Sequence, residues 1–213
     1  MTVKLVIFDC DGVIVDSEPM TDRILSDDLT AHGLPISAEE IHHLFTGGTM
    51  EWVEAESRRR GATLPDDWLD HIYGRIFAAL DEGVPVVEGF LPLLDRIEMA
   101  GIATAIASNG PIAKMKRSLG PSGIFDRLDG RILSGHDHKP KPDPAMLHHA
   151  MAKAGVTAEE TVMIDDMPAG TKAAQAAGVR CFGLCIHGSP DRFKGTDATV
   201  VPDLMAVQDA LGL

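Results

Sequence analysis

Cysteine is scarce in this chain of 213 residues: Cys10, Cys181 and Cys185 are all there are. An odd number without CxxC spacing speaks against a disulfide framework, and buried thiols in a reducing compartment are the expectation. No apolar run approaches the roughly twenty residues that a membrane-spanning helix needs. The Met1 end reads as a charged strand without a signal-peptide pattern, so a cytoplasmic location and no membrane partner are expected. Internal repeats and low-complexity tracts are also missing. Basic residues are few, with 19 Lys and Arg against 32 Asp and Glu, for a formal net charge of −13. Nucleic acid is therefore not expected as a partner, because its backbone calls for a basic surface. An acidic chain can still bind a small anion where the site carries its own local cations.

The chain does carry a hydrophobic fraction of 45%, enough for one globular domain or for a core with a smaller insert. The stretch from Phe8 to Glu18 organises the rest. It follows the apolar, β-branched run Val3 to Phe8, interrupted only by Lys4, which reads as a buried strand. Side chains alternate along an extended chain, so Asp9 and Asp11 can point to one side while Cys10 turns back to the core. Two carboxylates that close are costly unless a cation or a proton relieves them. Gly12 allows the sharp turn expected where backbone comes close to a ligand. Taken alone, the stretch also fits an ordinary strand ending in a polar turn.

From Ser17 to Gly83 the sequence reads as four helices. Ser17 is the expected cap of the first, Ser37-Ala38-Glu39-Glu40 is a capping box for the second, and Thr49 caps a third running from Met50 to Arg60. The fourth spans about Asp66 to Leu80. Beyond Val86 strands and helices alternate: helices at 90–100, 112–119, 142–154, 169–177 and 204–211, strands at 102–107, 131–133, 161–164, 179–184 and 198–201. That pattern predicts an α/β fold, a parallel sheet with helices on both faces, whose ligands lie at the carboxyl ends of the strands. The residues at those ends are Asp9 and Asp11, Ser108-Asn109-Gly110, the loop His138-Lys139-Pro140-Lys141-Pro142, and Asp165-Asp166. Carboxylates without a Cys or His cluster favour a hard ion, and Mg²⁺ is the usual choice beside a phosphate. A hydroxyl, backbone N–H groups and a lysine are phosphate ligands. Together they point to phosphoryl transfer.

With these four segments in order, the chain resembles the haloacid dehalogenase superfamily of phosphohydrolases over nearly its whole length. The segments are Asp9-Cys10-Asp11-Gly12-Val13, Ser108 at a strand end, Lys141-Pro142-Asp143-Pro144, and Asp165-Asp166. The resemblance implies a Rossmann-like core of residues 1–16 and 84–213 with an inserted helical cap of residues 17–83. Within the family the chain looks most like the β-phosphoglucomutase and sugar-phosphate phosphatase subgroup, and there most like a 6-phosphogluconate phosphatase type. It implies Asp9 as nucleophile and Asp11 as general acid and base. Phosphate would be gripped by Ser108, Asn109 and Lys141. Mg²⁺ would be held by Asp9, Asp11 through its backbone carbonyl, and Asp166, with Asp165 acting directly or through water. The implied partner is a small phosphorylated metabolite, and the implied state a monomer or weak homodimer. Val13 to Glu18 would be the hinge into the cap.

Several readings stay open in the sequence. Lys139 competes with Lys141, although the interval of 24 residues from Lys141 to Asp165 fits better than the 26 from Lys139. Phosphatase and phosphomutase are not separated. A phospho-aspartate signalling or sensor module is a remote alternative, disfavoured by the helical insert. Asp11 argues against carbon–halogen hydrolysis, where a halide leaving group needs no acid. Thr46, Gly47, Gly48 and Lys114 are possible substrate contacts. Arg58-Arg59-Arg60 reads as a solvated helix end, Trp52 and Trp68 as packing between helices, and the histidines at 136, 138, 148 and 149 as structural.

Overall fold

The computed structural model describes residues 2–45 and 49–213. It separates into two compact units, one made of Met1–Asp16 with Pro85–Leu213, the other of Ser17–Val84. Among the described residues no helix is long and apolar enough to cross a membrane. The first strand, β1 (Leu5–Phe8), is buried at all four positions, as a strand covered on both faces must be.

The helical unit holds α1 (Glu18–Ala31), α2 (Ala38–Phe45), α3 (Met50–Arg59) and α4 (Trp68–Glu82). The predicted capping box is formed: Ser37 N–H donates to Glu40 Oε2 at 2.8 Å, and Glu40 N–H donates to Ser37 Oγ at 3.2 Å. Thr49 Oγ1 accepts the Trp52 N–H at 3.3 Å. Ser17 does not cap with its side chain, because its backbone is already helical; its carbonyl accepts a bond from Thr21 Oγ1 at 3.0 Å instead. Trp68 is buried and its Nε1–H donates to the buried Asp28 Oδ2 at 2.6 Å, with Arg75 Nη1 at 2.7 Å from the other oxygen. Trp52 departs from the packing expectation. It is 46% exposed and meets Phe45 edge to face, with ring centroids 5.6 Å apart. The three arginines pair along the helix: Arg58 with Glu54, Arg59 and Arg60 with Glu56. Arg58 also ties down the Leu64 and Pro65 carbonyls.

The sheet unit continues with α5 (Phe90–Met99), β2 (Ala103–Ser108), α6 (Ile112–Leu119), α7 (Ile124–Arg127) and β3 (Ile132–Ser134). It ends with α8 (Ala145–Ala154), β4 (Thr161–Asp165), α9 (Pro168–Ala176), β5 (Arg180–Leu184), β6 (Thr199–Val201) and α10 (Leu204–Leu211). The six strands are parallel in the order β3-β2-β1-β4-β5-β6. This is the parallel α/β sheet that the alternation predicted and the Rossmann-like architecture that the resemblance implied. Leu5 and Ile7 join Met146, Leu147, Met163 and Ala173 in a buried cluster on one face. On the opposite side of the strand Phe8 meets Phe90 edge to face at 5.2 Å. Each buried Leu, Ile, Met or Phe side chain of this kind contributes about 1.5–3 kcal/mol.

The helix expected from Pro142 starts only at Ala145. Pro142 and Pro144 have no N–H to donate, and the Ala145 N–H goes to Asp143 Oδ1 at 3.0 Å. The four-residue α7 and two 3₁₀ turns, Ala158–Glu160 and Pro190–Phe193, have no counterpart in the sequence reading. The first of these turns carries a Thr157–Glu160 capping box, a signal legible in the sequence.

Candidate active site

Register brings the site together. Phe8 pairs with Ile106 on one side and with Ile164 on the other, so β1, β2 and β4 end at the same edge of the sheet. Asp9, Ser108 and Asp165 therefore converge from three neighbouring strands. Asp9 is anchored there by its N–H, which donates to the Ile164 carbonyl at 2.9 Å. The chain then turns, with Gly12 at φ +76°. A Cβ at Gly12 would stand 2.4 Å from Asp166 Oδ2, so only glycine lets this turn close on Asp166.

Lys141 lies between two of the carboxylates. Its Nζ is 2.7 Å from Asp9 Oδ1 and 2.7 Å from Asp165 Oδ2, and all three residues are buried. The other oxygen of Asp165 accepts the Met167 N–H at 2.8 Å. Asp165 thus fixes the lysine and the entry to α9 together. Burial pushes the Asp9 carboxyl up to about 7, with Lys141 pulling it down and Asp165 pushing it further up. Burial opposes the Lys141 ammonium, but the Asp165 and Asp9 charges outweigh it and hold its pKa above the ordinary lysine range.

Asp9, Asp165 and Asp166 offer oxygens within 4.8 Å of one another. Three buried carboxylates around one lysine leave excess negative charge, which is costly in a desolvated place. An all-oxygen set of this kind fits Mg²⁺, a hard cation with a preference for carboxylates and carbonyls.

Asp11 belongs to a different pair. Its Oδ2 lies 2.7 Å from Lys114 Nζ, and both side chains are partly exposed. Burial lowers the pKa of the Lys114 ammonium, yet the Asp11 charge beside it outweighs that and raises the pKa overall. Ser108 is buried and its Oγ accepts the Gly110 N–H at 3.1 Å. The Asn109 side chain grips the main chain of Lys141: Nδ2 donates to the Lys141 carbonyl at 3.0 Å, and Oδ1 accepts the Lys141 N–H at 2.7 Å. Lys139 is apart from all of this, exposed and 3.7 Å from Asp143. Thr46, Gly47 and Gly48 lie outside the described residues.

Three supporting residues escaped sequence reasoning. Ser134, at the end of β3, donates from Oγ to the Gly110 carbonyl at 2.8 Å and steadies the Ser108 turn. Arg192 Nη1 reaches the Asp166 carbonyl at 3.4 Å. A Cβ at Gly170 would stand 1.8 Å from Asp165 Oδ2, so the α9 backbone approaches the carboxylate more closely than any other residue type permits. A serine at a strand end was a signal within reach; the other two depend on contacts across the fold.

The sequence matches the model of the haloacid dehalogenase-like hydrolases over residues 3–178. A 6-phosphogluconate phosphatase of Escherichia coli (strain K12) is 32% identical over 193 residues, which covers 88% of this chain and 86% of that protein. A phosphoglycolate phosphatase of Yersinia pestis is 28% identical over 194 residues, covering 85% of this chain and 81% of that protein. Among solved structures, a conserved haloacid dehalogenase-like protein of Agrobacterium tumefaciens str. C58 shares 29% identity. It superposes with a TM-score of 0.86, covering 99% of this chain and 100% of that one.

Proposed function

The chain belongs to the haloacid dehalogenase-like hydrolase family and is a phosphatase, and on that premise we propose that it hydrolyses a small sugar or sugar-acid phosphate through an aspartyl phosphate on Asp9. One observation carries the reading: two carboxylates two residues apart are held by two different lysines, Asp9 by Lys141 and Asp11 by Lys114. Separate environments suit separate roles. The names of the two relatives, 6-phosphogluconate phosphatase and phosphoglycolate phosphatase, refer to esters whose alcohol half bears a carboxylate. A sugar acid is on that account the first substrate class to try.

In this reading the Asp9 carboxylate attacks phosphorus as the bond to the leaving oxygen breaks, and Asp11 gives that oxygen a proton. Asp11 then takes a proton from water, whose oxygen bonds to phosphorus as the bond from phosphorus to Asp9 breaks, which releases phosphate and regenerates Asp9. Ser108 Oγ and the Lys141 ammonium hold the phosphoryl oxygens, and Asn109 holds Lys141. Mg²⁺, bound by the Asp9 and Asp166 carboxylates and the Asp11 carbonyl, would supply the positive charge that lets a carboxylate meet a phosphate. Asp165, with both oxygens engaged, acts as the support of Lys141. We assign the helical unit as the cap.

The test is phosphate release from a panel of sugar and sugar-acid phosphates, with and without Mg²⁺. Asp9→Asn and Lys141→Ala are expected to abolish turnover, and Lys139→Ala to leave it near wild type. Activity that survives Asp9→Asn or complete metal removal would overturn the mechanism. Product analysis showing phosphate returned to a sugar instead of to water would move the assignment to a phosphomutase.

A further inference from the structure

We propose that Lys114 determines specificity in this site by binding a carboxylate on the leaving half of the substrate. The inference rests on the phosphatase reading and adds to it the residue that selects the substrate class.

The two lysines of the site divide it. The Lys141 ammonium is enclosed by Asp9 and Asp165, on the side where the phosphoryl group is attacked. Lys114 is paired with Asp11 instead. Its Nζ is one hydrogen bond, 2.7 Å, from the carboxylate that would meet the leaving oxygen. Its stem passes the turn that presents Ser108: a Cβ at Gly110 would lie 3.5 Å from Ser108 Oγ and 3.6 Å from Lys114 Cδ. Phosphate-side hydroxyl, acid and second cation therefore share one small region of the sheet edge.

An ammonium has three N–H donors. The bond to Asp11 uses one, so an anion arriving with the leaving group can be bound without breaking it. The side chain is partly withdrawn from water, at 29% exposure, where a charge attracts an anion more strongly than on an open surface. A neutral polyol placed in the same position gains no comparable attraction, and carboxylates at Asp9, Asp11, Asp165 and Asp166 would otherwise repel an acidic substrate. A cation on the leaving-group side is what makes a sugar acid acceptable in so negative a setting. The rival is a lysine that merely pairs with Asp11, and this would treat acidic and neutral substrates alike.

A matched pair separates the two. 6-Phosphogluconate and glucitol 6-phosphate are both open chains of six carbons that differ in a carboxylate against a hydroxymethyl group. Each is used to inhibit hydrolysis of p-nitrophenyl phosphate with Mg²⁺, in wild type, Lys114→Met, Lys114→Gln and Lys114→Arg. The ratio of the two inhibition constants is read within each protein, which cancels any change in basal rate. The wild type is expected to prefer the acid by about tenfold, as for one charge-assisted hydrogen bond. The preference should fall to within about twofold in the Met and Gln variants and return in the Arg variant. No preference in wild type, or a preference that survives both neutral substitutions, would overturn the role of Lys114 while leaving the phosphatase reading intact. Hydrolysis of no phosphate monoester at all would sink the phosphatase reading instead. In that event the same ratio measured by calorimetry still decides on Lys114.

Discussion

The Asn109 side chain and the Lys141 peptide are joined by two hydrogen bonds, of 2.7 and 3.0 Å, across 32 residues of chain. The amide reads both the donor and the acceptor of the main chain, so the segment that carries Lys141 is set by the end of β2. Asn109 is thus a positioning residue for the buried lysine. Asn109→Ala should cost about 1–3 kcal/mol in urea unfolding, since it leaves part-buried peptide groups unpaired. It should also lower kcat by roughly ten- to a hundredfold through misplacement of Lys141. Asn109→Asp, which keeps the acceptor and loses the donor, should fall between. Equal activity in all three proteins would show that Lys141 is held by other contacts.

Glycine to alanine should have opposite signs at two helical positions. Gly74, inside α4, has nothing within 4 Å of where a Cβ would be, so Gly74→Ala should stabilise by about 0.4–1 kcal/mol. Gly170, inside α9, would place its Cβ 1.8 Å from Asp165 Oδ2. Gly170→Ala should destabilise by about 1–3 kcal/mol and reduce turnover, because Asp165 must move and Lys141 with it. Denaturant midpoints and activity of both variants check this. A stabilised Gly170→Ala enzyme of full activity would refute the account of Asp165.

The thiols should differ in reactivity. Cys10 and Cys181 are buried and Cys185 is half-buried. Burial, with Asp11 and Asp9 adding, raises the pKa of the Cys10 thiol, and burial followed by Asp165 raises that of Cys181. A raised pKa leaves little thiolate to react. Alkylation of the native protein at about pH 8 should modify Cys185 alone, as mass spectrometry of the digest would show, with the other two following on unfolding. Rapid native labelling of Cys10 would contradict the packing behind β1.

Glu56 supplies a pH test in the helical unit. Hydrogen bonds from Arg59 and Arg60 pull its pKa down from 4.5 to about 2. A carboxyl whose pKa falls on folding contributes its stability in full above the unfolded value, and that stability is lost as pH drops through the folded value. The melting temperature of the wild type should therefore exceed that of Glu56→Gln at neutral pH. The gap should close between about pH 4.5 and 2, and shrink in high salt because the arginines are at the surface. A gap independent of pH would show that the glutamate acts by packing and not by charge.

What could be read from the sequence was what short-range chemistry governs. The alternation of apolar strands with helical periodicity identified the parallel sheet, since a strand covered on both faces must be apolar throughout. The Ser37 capping box was legible because all its partners lie within one helical turn. Carboxylates, a hydroxyl and a lysine at successive strand ends indicated phosphate chemistry, because parallel strands deliver their carboxyl ends to one edge.

Tertiary structure decided the partnerships. Lys114 and Asp11 meet across 103 residues, and Lys141 and Asp165 across 24. The interval to Asp165 favoured Lys141 over Lys139 in the sequence, but the grip of Asn109 on the Lys141 main chain is a long-range contact that no local pattern encodes. Whether Gly170 is a weak point of its helix or a requirement depends on the carboxylate packed against it. Trp52 has the composition of a core residue, yet the helices around it leave it exposed. Local sequence sets which groups are offered at the edge of the sheet. Only the packing of distant segments, which fixes burial and removes water, decides which of those groups are paired and how strongly their charges interact.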